Sequence, residues 1–270
     1  MYAPAHPSRL WYRQEGSGLP VVLLHGLADT HDLWRHQLTA LAASYRVIAF
    51  DLRGHGRSPH PGGEFTLRDL AEDVRHAVQE LGVGQAVVVG LSMGGGVAQT
   101  LALEHPGLVV GLGLVSTSSD FPDETRERLV SRAAVAERDG MAAVVDATVP
   151  RWFTPAFSQL HPEEVERTRR AVLAIDPAAF AAASRANAVR DLTARLGEVR
   201  CPVLFVGGSD DPARPQRALD IYRRTLPDLR TEIVEGTSHL VPVEAPDRFN
   251  AVLLAFLREL DTHHDEGVAE

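Results

Sequence analysis

The chain has 270 residues, of which 44% are hydrophobic and 23% charged, a composition that excludes a mostly disordered protein and supplies a sizeable core. Lys and Arg number 27 against 36 Asp and Glu, a formal net charge of -9, the wrong sign for a phosphate-backbone binder, so nucleic acid is not an expected partner. Its one cysteine, Cys201, excludes an intrachain disulfide framework and fits a reducing compartment.

Pro4, Pro7, Arg9, Arg13, Glu15 and Pro20 interrupt any apolar leader in the first twenty residues. The first strands are expected over 21–24 and 46–50. A helix follows over 66–81. Its residues Leu67, Leu70, Ala71, Val74, Ala77, Val78 and Leu81 share one face, Thr66 is placed as N-cap with Asp69 at the third helical position, and Gly82 lies just past the end. Further strands are expected over 86–89, 108–115, 203–206 and 230–234, and a closing helix around 246–257. Several of these strands are apolar throughout, the pattern of strands buried on both faces of a parallel sheet. The longest apolar stretch, 107–115, is far short of the ~20 residues that span a bilayer. A cytoplasmic location with no membrane contact is therefore expected.

The alternation of strand and helix predicts an α/β fold. It breaks between about residues 118 and 198, where prolines at 122, 150, 155, 162 and 177 divide an Ala-, Arg- and Glu-rich stretch into short helices. Some 80 residues exceed one crossover, so a helical insertion over the carboxyl edge of the sheet is predicted. The division is a core of 1–117 and 199–260, a helical cap of 118–198, and a flexible tail of 261–270. In that tail His263 and His264 beside Asp265 read as a solvated terminus; no metal site and no organic cofactor are expected.

The chemistry centres on Gly90, Ser92 and Gly94, a G-x-S-x-G pattern between a strand and a helix whose apolar face includes Val97, Leu101 and Ala102. A tight strand-to-helix turn lifts the Ser92 hydroxyl clear of the sheet and aims the Met93 N–H at a developing negative charge. Serine needs a base. His239, on the loop after the last predicted strand, is the best placed of twelve histidines, with His25 and His55 as rivals. The base in turn needs an acid. The loop after strand 203–206 offers both Asp210 and Asp211, and Asp120 lies on the loop after the preceding strand.

With this order of serine, acid and histidine, the sequence resembles the α/β-hydrolase superfamily from about Val21 to Leu257. The His25–Gly26 turn resembles the family's turn after the third strand, which implies that Leu27 gives the second oxyanion N–H. The stretch from Asp51 to Ser58 matches its D-x-R-G-x-G-x-S loop, read here as a structural turn in which Asp51 satisfies backbone donors. Gly208, Asp211 and Pro215 match its acid loop, which favours Asp211 over Asp210. Ser92, not aspartate, at the turn excludes the family's epoxide hydrolases and haloalkane dehalogenases.

The elbow, the acid loop and the segment from Arg151 through Phe157 to Glu163 resemble 3-oxoadipate enol-lactonases, although their Asn-Ser turn is replaced by His25–Gly26. That resemblance implies ring opening of an unsaturated γ-lactone bearing a carboxylate. Trp152, Phe153 and His25 are pocket candidates, and arginines such as Arg53 or Arg151 are candidates for a substrate carboxylate. The leading expectation is a cofactor-free serine hydrolase of a small-molecule ester or lactone. A general carboxylesterase, a carbon–carbon bond hydrolase of meta-cleavage products, a cofactor-free perhydrolase, and a non-catalytic ligand sensor on the same fold are the alternatives.

Overall fold

The computed structural model describes residues 10–213 and 215–267. The apolar runs of the sequence form strands. Strands β1 (Tyr12–Glu15), β2 (Pro20–Leu24), β3 (Arg46–Phe50), β4 (Ala86–Leu91), β5 (Val109–Val115), β6 (Val203–Gly208) and β7 (Leu229–Val234) form one sheet in the order β1-β3-β2-β4-β5-β6-β7. Every pairing is parallel except β1 with β3. β4 and β6 are buried along their whole length, which is why they read as unbroken apolar runs. β1 was absent from the sequence reading: it is a polar, largely exposed edge strand, so neither hydrophobicity nor alternation announces it.

Helices α1 (Arg35–Leu41), α2 (Leu67–Glu80) and α3 (Met93–Glu104) fall between the first five strands. α2 opens as predicted: Thr66 accepts from Asp69 N, and the Asp69 carboxylate accepts from Thr66 N at 2.7 Å, a reciprocal cap. α3 is buried from Met93 to Leu103 and packs on α2, β4 and β5.

Between β5 and β6 the described residues form helices α4 (Asp123–Asp139), α5 (Met141–Thr148), α6 (Pro155–Leu160), α7 (Pro162–Leu173) and α8 (Pro177–Ala188) with 3₁₀ turns and no strand. Leu129, Ala133 and Ala136 give α4 its buried stripe, and α4 lies along α8. After β6 come α9 (Pro215–Thr225), then α10 (Val241–Glu244) and α11 (Pro246–Gly267). α11 carries helical backbone past Leu260 into the segment expected as a tail. Residues 1–9 and 268–270, and the side chains of His263, His264 and Asp265, lie outside the described residues. Among the described residues no helix is long and apolar enough to cross a membrane.

Chain order and sheet order part company at β2 and β4. From β2 the chain goes to β3 on one side and then to β4 on the other. Loops leaving such neighbouring strands diverge and leave a crevice at the carboxyl edge. Leu24 pairs with Gly90 in register, so the turn at His25 and the turn at Ser92 leave the sheet side by side.

Candidate active site

Ser92 sits at φ 55°, ψ -110° as the first step from β4 into α3. A non-glycine residue holds that conformation only where its surroundings fix it. Two close approaches do so. A Cβ on Gly90 would lie 2.2 Å from Gly94 O, and one on Gly94 would lie 2.4 Å from Leu24 O. The Ser92 carbonyl accepts from Thr117 Oγ1 at 2.7 Å and from Arg190 Nη1 at 3.1 Å, which anchors the strained turn from the β5 side and from the residues after α8.

Asp211 and His239 come from adjacent strand ends. Their loops touch so closely that a Cβ on Gly208 would lie 2.2 Å from Ser238 O. His239 Nδ1 donates to Asp211 Oδ2 at 2.8 Å, and Asp211 Oδ1 accepts from Ala213 N at 2.8 Å. The Nε2 lone pair is thereby left as the basic one. Asp210 is exposed and bonds Ser209, while Asp120 is held by both terminal nitrogens of Arg217 at 2.8 and 2.7 Å.

Ser92, Asp211, His239 and Leu27 line one cavity of about 580 Å³, a size suited to a small molecule. Among the described residues no hydrogen bond joins the Ser92 hydroxyl to the imidazole; in ligand-free sites this contact is commonly long and tightens around substrate. Among the described residues neither Leu27 N nor Met93 N donates to another backbone group.

The rival histidines do other work. His25 Nδ1 donates to Gly26 O at 2.7 Å and its Nε2 accepts from Leu52 N at 2.9 Å. His55 Nδ1 donates to Arg53 O at 3.0 Å and its Nε2 accepts from Ala28 N at 3.2 Å. Each imidazole needs one bare nitrogen, so each is neutral. Burial lowers both, His25 to about 3. Together they tie the turn at residues 25–28, where Ala28 has φ 64°, to the loop after β3. Asp51 completes the brace: it accepts from His31 N at 2.7 Å, from His31 Nδ1 at 2.8 Å and from Arg57 N at 2.9 Å.

Of the pocket candidates, Trp152 lines the cavity and lies over the His239 ring with centroids 6.4 Å apart. His25 and Phe153 do not line it: His25 is wholly buried in its brace, and Phe153 is buried against Phe157. Trp152 reaches the site because its strand of chain is pinned there. Leu240 N donates to Trp152 O at 3.2 Å, Ser238 Oγ to Arg151 O at 3.2 Å, and Glu244 accepts from both Thr154 N and Ser238 N.

Arg53 is consumed by Asp73, with two contacts of 2.7 Å. Five arginines line the cavity: Arg217, which is taken by Asp120, and Arg128 and Arg132, one turn apart on α4, with Arg151 and Arg190. The last four pair with no carboxylate among the described residues. Burial, reinforced by Arg128 and Arg151, pushes Arg132 down to about 10. Sequence reasoning missed Arg128 and Arg132 because charges on a charged helix read as solvated; their signal was adjacency to the stripe of Leu129, Ala133 and Ala136.

The profile of the alpha/beta hydrolase fold family matches residues 20–143. A putative carbamate hydrolase of Escherichia coli O157:H7 is 30% identical over 251 residues, covering 92% of this chain and 94% of its own. The chain belongs to the α/β-hydrolase family. This α/β hydrolase is also 27% identical over 240 residues to a 3-oxoadipate enol-lactonase of Acinetobacter baylyi, with 89% of each chain covered. A thermophilic esterase from Thermogutta terrifontis superposes on it with a TM-score of 0.89 at 32% identity, covering 93% of both chains. These relatives are hydrolases, and so is this chain, which removes the non-catalytic sensor from consideration.

Proposed function

We propose that this α/β hydrolase cleaves a small lactone or ester bearing a carboxylate, through an acyl-enzyme on Ser92. Ser92 Oγ attacks the carbonyl carbon as His239 Nε2 takes its proton, and Asp211 steadies the imidazolium that forms. The oxyanion is received by the N–H groups of Leu27 and Met93; loss of one such donor costs roughly 2.7–4 kcal/mol in comparable sites. His239 then returns the proton to the leaving oxygen, which in a lactone stays tethered to the acyl group. Water, activated by the same imidazole, cleaves the ester to Ser92. The chemistry asks for no metal and no organic cofactor.

The segment 118–198 acts as the cap that closes this cavity. The observation that carries the choice of substrate is its arginines: Arg128, Arg132 and Arg151 line the cavity without a carboxylate partner. Arg132 is the most enclosed of the three and has only the Thr148 hydroxyl to donate to; a guanidinium enclosed without a counter-ion is costly, and an anionic ligand relieves that cost. Arg132 Nε and Asn187 Oδ1 are buried there with no partner among the described residues, ready for a polar ligand. A lactone like that of the enol-lactonase relative supplies such an anion. The Thermogutta esterase was solved with malate bound, itself a dicarboxylate. A cytoplasmic setting suits Cys201, whose thiol burial pushes up to about 11.

The test compares kcat/KM on the mono-p-nitrophenyl ester of glutaric acid and on p-nitrophenyl butyrate, with the enol-lactone and a vinylogous diketone alongside. The anionic ester is expected to be preferred, and Arg132→Gln to reduce that preference by about 10–100-fold, the size of a lost charged hydrogen bond. Preference for the neutral ester that Arg132→Gln leaves in place would contradict the anionic substrate. Activity on short neutral esters alone would leave a general carboxylesterase.

A further inference from the structure

Asp29 lies two residues beyond Leu27, on the loop that offers the oxyanion N–H. It lines the same cavity as Ser92 and His239 and is 6% exposed. Its carboxyl accepts one hydrogen bond, from Thr30 N at 2.8 Å, and forms no ion pair among the described residues.

The surroundings of this carboxyl are unfavourable to charge. Asp32 follows on the next 3₁₀ turn, and Asp51, on the loop after β3, repels a charge there as well. Arg35 at the start of α1 acts on it from a distance but is paired with Glu164, and Arg167 of α7 is paired with Asp32 at 3.1 Å. His31 is engaged by Asp51. Glu124, Arg128, Arg132, Arg151, Arg190, Asp211, His239 and Arg217, the last paired with Asp120, are the other ionisable groups at the cavity wall. Burial, with Asp32 and Asp51 adding repulsion, pushes the Asp29 carboxyl up to about 7. An asparagine would accept the Thr30 hydrogen bond equally well. What the acid adds is a charge that comes and goes in the cavity that Ser92 faces, two residues along the chain from Leu27.

We propose that Asp29 governs turnover at this site: its neutral carboxyl lets negative charge build on the substrate oxygen, and its carboxylate opposes that charge. The inference rests on the serine-hydrolase reading above. An anion on the oxyanion loop works against the Leu27 and Met93 N–H groups, in a cavity where water screens little. It also repels an anionic substrate drawn in by the arginines. Asp29 therefore sets an alkaline limit on the reaction.

The test needs no knowledge of the natural substrate. A fluorophosphonate is attacked by Ser92 Oγ; the O–P bond forms, fluoride leaves, the serine proton passes to His239, and the phosphonyl oxygen occupies the oxyanion position. The second-order labelling rate of the full chain is measured from pH 5 to 9.5 for the wild type and Asp29→Asn. The wild-type rate is expected to rise, then fall above neutral pH, losing about tenfold by pH 9. The Asp29→Asn rate is expected to rise to a plateau, whatever its height. A falling limb retained in Asp29→Asn, or absent from the wild type, overturns the proposal. Should Asp29→Asn fail to fold, Asp29→Ser, which also offers a neutral acceptor to Thr30 N, is read in the same way. Failure to label Ser92 at any pH is a different outcome: it overturns the serine-hydrolase reading and this inference with it.

Discussion

His55 Nε2 accepts the backbone N–H of Ala28 at 3.2 Å, across 27 residues of sequence. That bond holds a residue at φ 64° next to Leu27, so it sets the direction in which the Leu27 N–H points. His55→Leu removes the acceptor and leaves a buried N–H unsatisfied, at about 1–3 kcal/mol in stability. Because the turn relaxes, kcat is expected to fall by at least about tenfold with a smaller change in KM, as for loss of a transition-state contact. Steady-state kinetics with thermal melting of the same variant checks both. Lowered stability with unchanged kcat would mean that His55 does not orient the oxyanion loop.

Asp211 reaches His239 Nδ1, while exposed Asp210 bonds Ser209 on the outside of the same loop. Asp211→Asn is expected to lower kcat by as much as about 10⁴-fold, because the amide favours the wrong imidazole tautomer. Asp210→Asn is expected to change it by less than about threefold, as at an exposed surface position. Rates of the two variants on one ester decide the assignment, and the reverse ranking would move the acid to Asp210.

Acid stability separates the buried histidines from Asp29. His25 is held near 3 in the folded state against 6.5 ordinarily, so between those values the unfolded chain binds more protons and stability is lost as pH falls below 6.5. His55, also lowered by burial, acts in the same direction. Asp29 is raised from 3.8 to about 7, so in that window the folded chain binds the proton and acidification stabilises it. Asp29→Asn removes this opposing contribution. The unfolding free energy of Asp29→Asn, from urea titration, is therefore expected to drop more steeply than the wild type's between pH 6.5 and 5, by roughly 1.4 kcal/mol per pH unit. Parallel slopes would contradict the raised Asp29. Imidazole resonances of His25 and His55 that titrate between pH 8 and 5 would contradict the two neutral braces.

The parallel strands were legible because burial on both faces leaves unbroken apolar runs, and α2 was legible because Thr66, Asp69 and its stripe all agree. Ser92 and His239 stood out as candidates since each follows a strand and carries glycine punctuation, while Asp211 was preferred to Asp210 only through the resemblance of the acid loop. β1 was not: Tyr12 to Glu15 is a polar edge whose place depends on pairing with β3. The arginine lining was hidden for a related reason, since only the packing of α4 along α8 turns Arg128 and Arg132 inward. Asp29 was invisible because nothing local distinguishes a carboxyl beside solvent from one enclosed by a distant loop. Phe153 and His25 were singled out because they sit in segments that carry the family resemblance, which brings a residue close to the site but does not fix which way its ring turns.

The central claim is that Ser92 is a nucleophile activated by His239. Peptide mapping by mass spectrometry after fluorophosphonate treatment measures it directly. One adduct per chain, on the peptide containing Ser92, with labelling slowed at least about a hundredfold in His239→Ala, is the predicted result. A folded chain that takes no adduct, or takes it on another residue at the same rate with and without His239, would contradict the account.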